Sequence, residues 1–249
     1  EAQVLHALGL RPVWDEGGRV RELEIVPAKD LGRPRIDAVV QVTSVYRDQF
    51  DSFMRLLADA IERITALDEE NNPIAANSAR IAAILEERGL SRKEAREQAS
   101  LRIFSNEPGS YGTGLPHMAL ASTTWDDDSA LAERFLESTQ FAYGAHTWGA
   151  ASQAGNLFSE QLKGSQAAIM SRSSNLHGVL STDHPFEFFG GLSLAIRHLD
   201  GKAPSLYISD LRNAATTKTT SLARFLSDEM RVRYLNPHWI EGMKAEGYG

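Results

Sequence analysis

The sequence contains no cysteine. That excludes disulfides, thiolate metal centres, iron–sulfur clusters and a cysteine nucleophile. It is compatible with a cytoplasmic location, which is the expected one. No stretch approaches the ~18 apolar residues that a membrane-spanning helix needs, and no basic segment followed by an apolar one marks a leader peptide. Basic residues are in the minority. The 26 Lys and Arg against 33 Asp and Glu leave a formal net charge of −7, a poor basis for a general nucleic-acid binder. No G-x-x-x-x-G-K-[ST] segment occurs, so no ATP site is visible in this chain. H-E-x-x-H and G-x-S-x-G are missing as well, which removes zinc-protease chemistry and a nucleophile elbow.

What is present reads as one globular region. The chain has 249 residues, 42% hydrophobic and 24% charged, enough for one large domain or two modest ones. It begins at Glu1 and stops at Gly249 just after a helix-like pattern starts, so the expectation is a piece cut from a longer chain. Gly9 closes a first helix, and Pro27 ends a short strand begun at Leu23. The β-branched run 36–42 suits a strand buried on both faces. Phe50, Phe53, Met54, Leu57, Ile61 and Ile64 line one face at 3.6 residues per turn. A second helix over 75–89 follows, and Ser91 and Glu94 form a capping box opening a third. Strands are expected near 101–104, 167–170 and 205–209. Helices are expected over 129–141, 155–162, 186–199 and 221–234, with a last one started by Asn236 and Pro237. This alternation predicts an α/β fold with a largely parallel sheet flanked by helices. Residues 1–249 would form a single α/β region with a helical insertion at about 50–100.

Ligands of open α/β sheets sit beyond the carboxyl ends of the strands, which directs attention to two loops. The first, residues 107–117, carries Gly109, Gly112 and Gly114 together with Glu107, Tyr111 and His117. The glycines permit close backbone approach to a ligand, and they equally serve the turns of a purely structural loop. The second, residues 171–185, places His177, Asp183 and His184 within eight residues. These are plausible metal ligands or proton carriers near neutral pH. Asp183 also suits the N-cap of a helix starting at Pro185, and both roles can coexist. His146 lies in a Gly- and aromatic-rich turn that could face a flat apolar ligand or simply pack.

Four segments taken together resemble one family. They are Gly32-Arg33-Pro34-Arg35-Ile36-Asp37, Arg102-Ile103-Phe104 with the loop from Pro108 to Gly114, Phe186-Glu187-Phe188-Phe189-Gly190-Gly191-Leu192, and Leu235-Asn236-Pro237-His238-Trp239-Ile240-Glu241-Gly242-Met243. In that order the chain is similar to the cobaltochelatase large subunit (CobN) and the magnesium-chelatase H subunit, and most to the cobalt-type branch. The resemblance implies a C-terminal-half fragment of a subunit that binds a tetrapyrrole, corrin or porphyrin, and inserts a divalent metal. The metal would be cobalt, with magnesium as the alternative, and ATP would be used by separate AAA+ ATPase partner subunits. The isolated fragment would be inactive. In place of the acidic stretch usual in that branch, residues 175–184 keep one His-x-x-x-x-x-Asp-His set.

The resemblance implies roles. His177, Asp183 and His184 would take pyrrole protons and strip water from the metal, His177 and His184 acting as its ligands. Glu107, Tyr111, His117 and His146 would contact the ring. Imidazole suits cobalt, nickel, zinc or iron better than magnesium. A non-catalytic tetrapyrrole-binding module, a haem-demetallating protein and magnesium insertion into protoporphyrin are the competing readings.

Overall fold

The computed structural model describes residues 1–121, 123 and 125–247; the chain's end at Gly249 lies outside them. In chain order come α1 (Ala2–Leu8), β1 (Leu10–Trp14), β2 (Val20–Ile25), α2 (Ala28–Leu31), β3 (Val40–Gln41), α3 (Ser44–Gln49), α4 (Asp51–Thr65), α5 (Pro73–Glu87), α6 (Arg92–Ala99) and β4 (Ile103–Ser105). Then follow α7 (Leu115–Leu120), α8 (Asp128–Thr139), β5 (Phe141–Tyr143), β6 (Trp148–Ala150), α9 (Leu157–Leu162) and β7 (Ala167–Arg172). A π-helical turn at Pro185–Gly190 leads into α10 (Gly191–Asp200), β8 (Ser205–Asp210), β9 (Lys218–Ser221) and α11 (Leu222–Glu229). A second π-helical turn, Met230–Tyr234, precedes α12 (Pro237–Glu246).

Backbone contacts gather these elements into two compact units. One is Glu1–Gly114 with Glu133–Lys163, the other Leu115–Ala132 with Gly164–Gly249. The helical stretch expected at about 50–100 is α4, α5 and α6 of the first unit.

The fold is α/β, but the sheets are mixed rather than largely parallel. In the first unit β1 and β2 form an antiparallel hairpin, and a four-stranded sheet runs β3-β4-β5-β6 with only β3–β4 parallel. In the second, β7–β8 is parallel and β8–β9 antiparallel. Connection length accounts for part of this correction. A helical crossover separates each parallel pair, whereas the short link over 144–147 between β5 and β6 can close only an antiparallel hairpin.

The apolar run at 36–42 is also not a buried strand. Only Val40 and Gln41 join a ladder, and Ile36 is exposed. Ile36 N donates outside any ladder, to Ala7 O at 2.9 Å, and pairing with β4 is confined to the end of the run, where Val40 N and Val42 N donate to Arg102 O and Phe104 O at 2.7 and 2.9 Å. The amphipathic helix is as expected in α4, where Met54, Leu57, Ile61 and Ile64 are buried. Phe50 lies just before the helix and stacks on Tyr46 at 4.6 Å. The Ser91–Glu94 capping box forms at α6.

Buried arginines tie the short elements of the first unit together. Arg102, fully buried, donates Nε and Nη2 to the Asp37 carboxylate at 2.8 and 3.1 Å, and also reaches Ala99 O and Ser78 Oγ. Arg35 grips Glu69 with two bonds of 2.7 Å and spends its other donors on Leu8 O, Gly9 O and Val26 O. Breaking such a pair strands the surviving charge. Asp37→Ala should therefore destabilise the first unit by about 3–5 kcal/mol, measured by urea unfolding.

Acid should weaken the same unit. Hydrogen bonds from Arg35 hold the Glu69 carboxyl below its ordinary 4.5. Burial pushes Glu160 up, but bonds from Arg88 and Lys163 outweigh it and leave that group lowered too. With both folded-state values depressed, their stabilisation is complete above about pH 4.5 and is lost as the pH falls through the folded values. A pH series of urea midpoints should decline on the acid side, and Glu69→Gln should flatten that decline.

Candidate functional site

In the first unit the glycine-rich loop leaves the carboxyl end of β4, beside the parallel strand β3. Gly109, Gly112 and Gly114 all have φ between 74° and 82°, so these turns favour glycine. The loop takes its shape from Arg47 of α3, which is 1% exposed. Its Nη1 donates to the carbonyls of Asn106, Glu107 and Ser110 at 3.0, 2.9 and 3.3 Å, while Nε and Nη2 hold Asp48. Asn106, equally buried, donates to Gly112 O and Ser138 O. Tyr111 is exposed and donates its hydroxyl to Asp48 Oδ2 at 2.6 Å. Those bonds from Arg47 and Tyr111 keep Asp48 below the usual carboxylate range.

Pro108 of this loop packs on Gly149, where a Cβ would lie 2.2 Å from the proline ring. That contact joins the loop to the turn carrying His146, which is exposed. Glu107 is also exposed and lines a cleft of about 190 Å³ with Asn106, Ser110, Arg134 and Glu137.

In the second unit the 173–184 loop follows β7. Three consecutive carbonyls are held by arginines: those of Asn175 and Leu176 accept from Arg233, and that of His177 accepts from Arg172. The side chains of Asn175, Leu176 and His177 are accordingly exposed. Val179 anchors the loop in a core with Ala168, Phe189, Ile208 and Phe225. Asp183 and His184 are exposed and meet through Oδ1 and Nδ1 at 3.1 Å. The N-cap suggested for Asp183 is not made by its side chain; its carbonyl accepts from Glu187 N instead. His117 lies exposed in α7. Among the described residues, no three His, Asp or Glu side chains gather as a metal cluster.

No local sequence signal marks the residue beneath this loop. Glu229, at the end of α11, is 4% exposed. Arg212 Nη1 donates to its Oε1 at 2.6 Å, and Arg233 Nε lies 3.5 Å from its Oε2. Arg212 also grips both Asp210 oxygens at 2.9 Å; these bonds raise the guanidinium's pKa and lower that of the carboxyl. Glu229 Oε2 and Tyr234 Oη are buried without a hydrogen bond. Both face Gly178, where a Cβ would lie 3.0 and 2.5 Å from them. π-Helical turns carry residues at both margins: Pro185–Gly190 follows the loop, and Met230–Tyr234 supplies Tyr234. Such wide turns are frequent at functional sites.

A family model described as CobN/Magnesium Chelatase matches residues 1–249. The chain belongs to this family. It is 36% identical to the aerobic cobaltochelatase subunit CobN of Pseudomonas aeruginosa, over 99% of the chain and 20% of that protein. It is 33% identical to the magnesium-chelatase H subunit of Cereibacter sphaeroides, again over 99% of the chain and 20% of the relative. The solved catalytic subunit of cobaltochelatase from Mycobacterium tuberculosis superposes with a TM-score of 0.89 at 32% identity, covering 99% of this chain and 20% of that one. The chain thus spans about a fifth of the length of these relatives.

The segments that resemble the CobN/magnesium chelatase family serve distinct ends. Arg35 and Arg102 are buried within the first unit, and Asp37 is the half-buried partner of Arg102. The Pro108–Gly114 stretch is the loop that Arg47 shapes, and Asn236 caps α12 through its bond from His238 N. Arg47→Lys keeps the charge but loses the fork that reaches three carbonyls. It should speed amide exchange across 105–114 by roughly tenfold or more, read by hydrogen-exchange mass spectrometry.

Proposed function

We propose that this chain is part of a tetrapyrrole-binding, metal-inserting chelatase subunit, most like the cobalt-inserting type that acts on a corrin ring. The single observation that carries the reading is the buried Glu229 carboxylate, with one oxygen held by Arg212 and the other lacking a hydrogen bond, directly beneath the loop that carries His177.

Metal insertion requires removal of protons from pyrrole nitrogens and exchange of the metal's water shell. Glu229 is the proton acceptor in this reading, because its Oε2 accepts no hydrogen bond and Arg233 Nε stands off at 3.5 Å. His177, Asp183 and His184 receive the metal as a substrate; their exposure suits a group that takes an ion from solution and passes it on. The two imidazoles favour a transition metal over magnesium, which prefers oxygen ligands. Glu107, Tyr111 and His146 of the first unit, and His117 of the second, are the proposed ring-contacting groups, each taken within its own unit. Energy comes from AAA+ ATPase partners acting on the full-length subunit, and the 249-residue chain alone binds ring without inserting metal. A cytoplasmic location accords with this chemistry.

The test is chelation by the full-length subunit with its ATPase partners, with cobalt and magnesium supplied in parallel. Glu229→Gln should lower the rate by about 10²–10⁴-fold. His177→Ala and Asp183→Ala should slow metal gain and raise the metal concentration required. Unchanged chelation in the last two variants would remove the loop from the mechanism. Ring binding with no metal gain in the unmodified subunit would favour a non-catalytic binding module.

A further inference from the structure

Among the described residues, the buried side-chain atoms without a hydrogen bond are Gln98 Oε1, Glu229 Oε2 and Tyr234 Oη. The last two converge on Gly178. The φ of Gly178 lies outside the left-handed region, so its backbone conformation does not require glycine. The close approach of two oxygens does. Tyr234 Oη has no hydrogen bond and Glu229 Oε2 has only Arg233 Nε at 3.5 Å; a buried polar group without a bond costs free energy, and in a native structure it calls for a partner such as bound water or a ligand, or for a catalytic role.

We propose that residues 175–178 are a cover over a two-group site, Glu229 Oε2 and Tyr234 Oη, and that Tyr234 makes this site selective for the N–H-bearing, metal-free form of the ring. The inference rests on the tetrapyrrole reading and extends it to a residue and a specificity. The cover is held mainly by main-chain carbonyls bonded to Arg172 and Arg233, bonds that water can replace, while Val179 stays seated in the core as the fixed end. The charges around the site select the ligand. Arg212 and Arg233 already supply two cations to Glu229, which disfavours a metal ion, and the carboxylate disfavours an anion. An uncharged donor remains, and an inner pyrrole N–H is such a group. Trp239 packs edge-on against the Tyr234 ring at 5.5 Å and fixes the direction of its hydroxyl.

Tyr234→Phe in the 249-residue chain tests this, with metal-free protoporphyrin and its nickel(II) complex, which has no inner N–H, titrated by absorbance or quenching. The unmodified chain should prefer the metal-free ring, and the variant should lose roughly five- to tenfold of that preference. Because the hydroxyl is unpaired under the cover, the variant's thermal midpoint should be unchanged or raised by roughly 2–4 °C. A lowered midpoint, or an unchanged preference, overturns the assignment of Tyr234 while leaving the tetrapyrrole reading in place. Failure of the unmodified chain to bind either ring overturns both. As a second variant, Gly178→Ala should push the cover away, speeding amide exchange over 175–178. Exchange unchanged by that methyl would overturn the cover.

Discussion

The bond between buried Arg102 and Asp37 is the constraint around which the first unit is arranged. Asp37 sits in the motif segment at 32–37 and Arg102 immediately before β4, and the pair brings these distant stretches side by side. Strand pairing alone would not hold them. β3 contributes two residues to its ladder and β4 three, too little main-chain bonding to define a register by itself. Arg102 supplements that ladder with donors to carbonyl and hydroxyl oxygens, and Arg35 and Arg47 repeat the device on either side. A guanidinium offers five donors in a fixed plane, so each of these side chains settles the positions of several segments at once.

That device also explains what could and could not be read in the sequence. Helices were legible because their signals are local: the 3.6-residue spacing of α4, the Ser91–Glu94 box and the Asn236-Pro237 start all lie within a few residues of the structure they specify. The run at 36–42 misled because β-branched composition fixes neither burial nor hydrogen-bond partners: Ile36 is exposed and bonds to Ala7, and only the end of the run pairs with β4. A strand's direction relative to its neighbour depends on remote connections, so the mixed sheets were not legible either.

The two candidate loops were found through their glycines and histidines, yet the groups that shape them were not. Nothing near Arg47 in the sequence marks it as the organiser of residues 106–110. Glu229 lies some fifty residues from the loop it underlies, and its neighbourhood reads as an ordinary amphipathic helix. A buried carboxylate becomes visible only when the fold has placed Arg212, Arg233 and Gly178 around it. By contrast His177, Asp183 and His184 stand at the surface, where local sequence describes them well.

The fastening of the carbonyls at residues 175–177 has a consequence for how such a protein changes over time. Arg172 and Arg233 recognise only main-chain oxygens there, and every amino acid supplies the same oxygen. The frame of the loop is therefore indifferent to the side chains it displays. Relatives named for cobalt and for magnesium chelation match the whole chain at similar identity. A loop fastened by its backbone can change the side chains it displays without rebuilding the support beneath them.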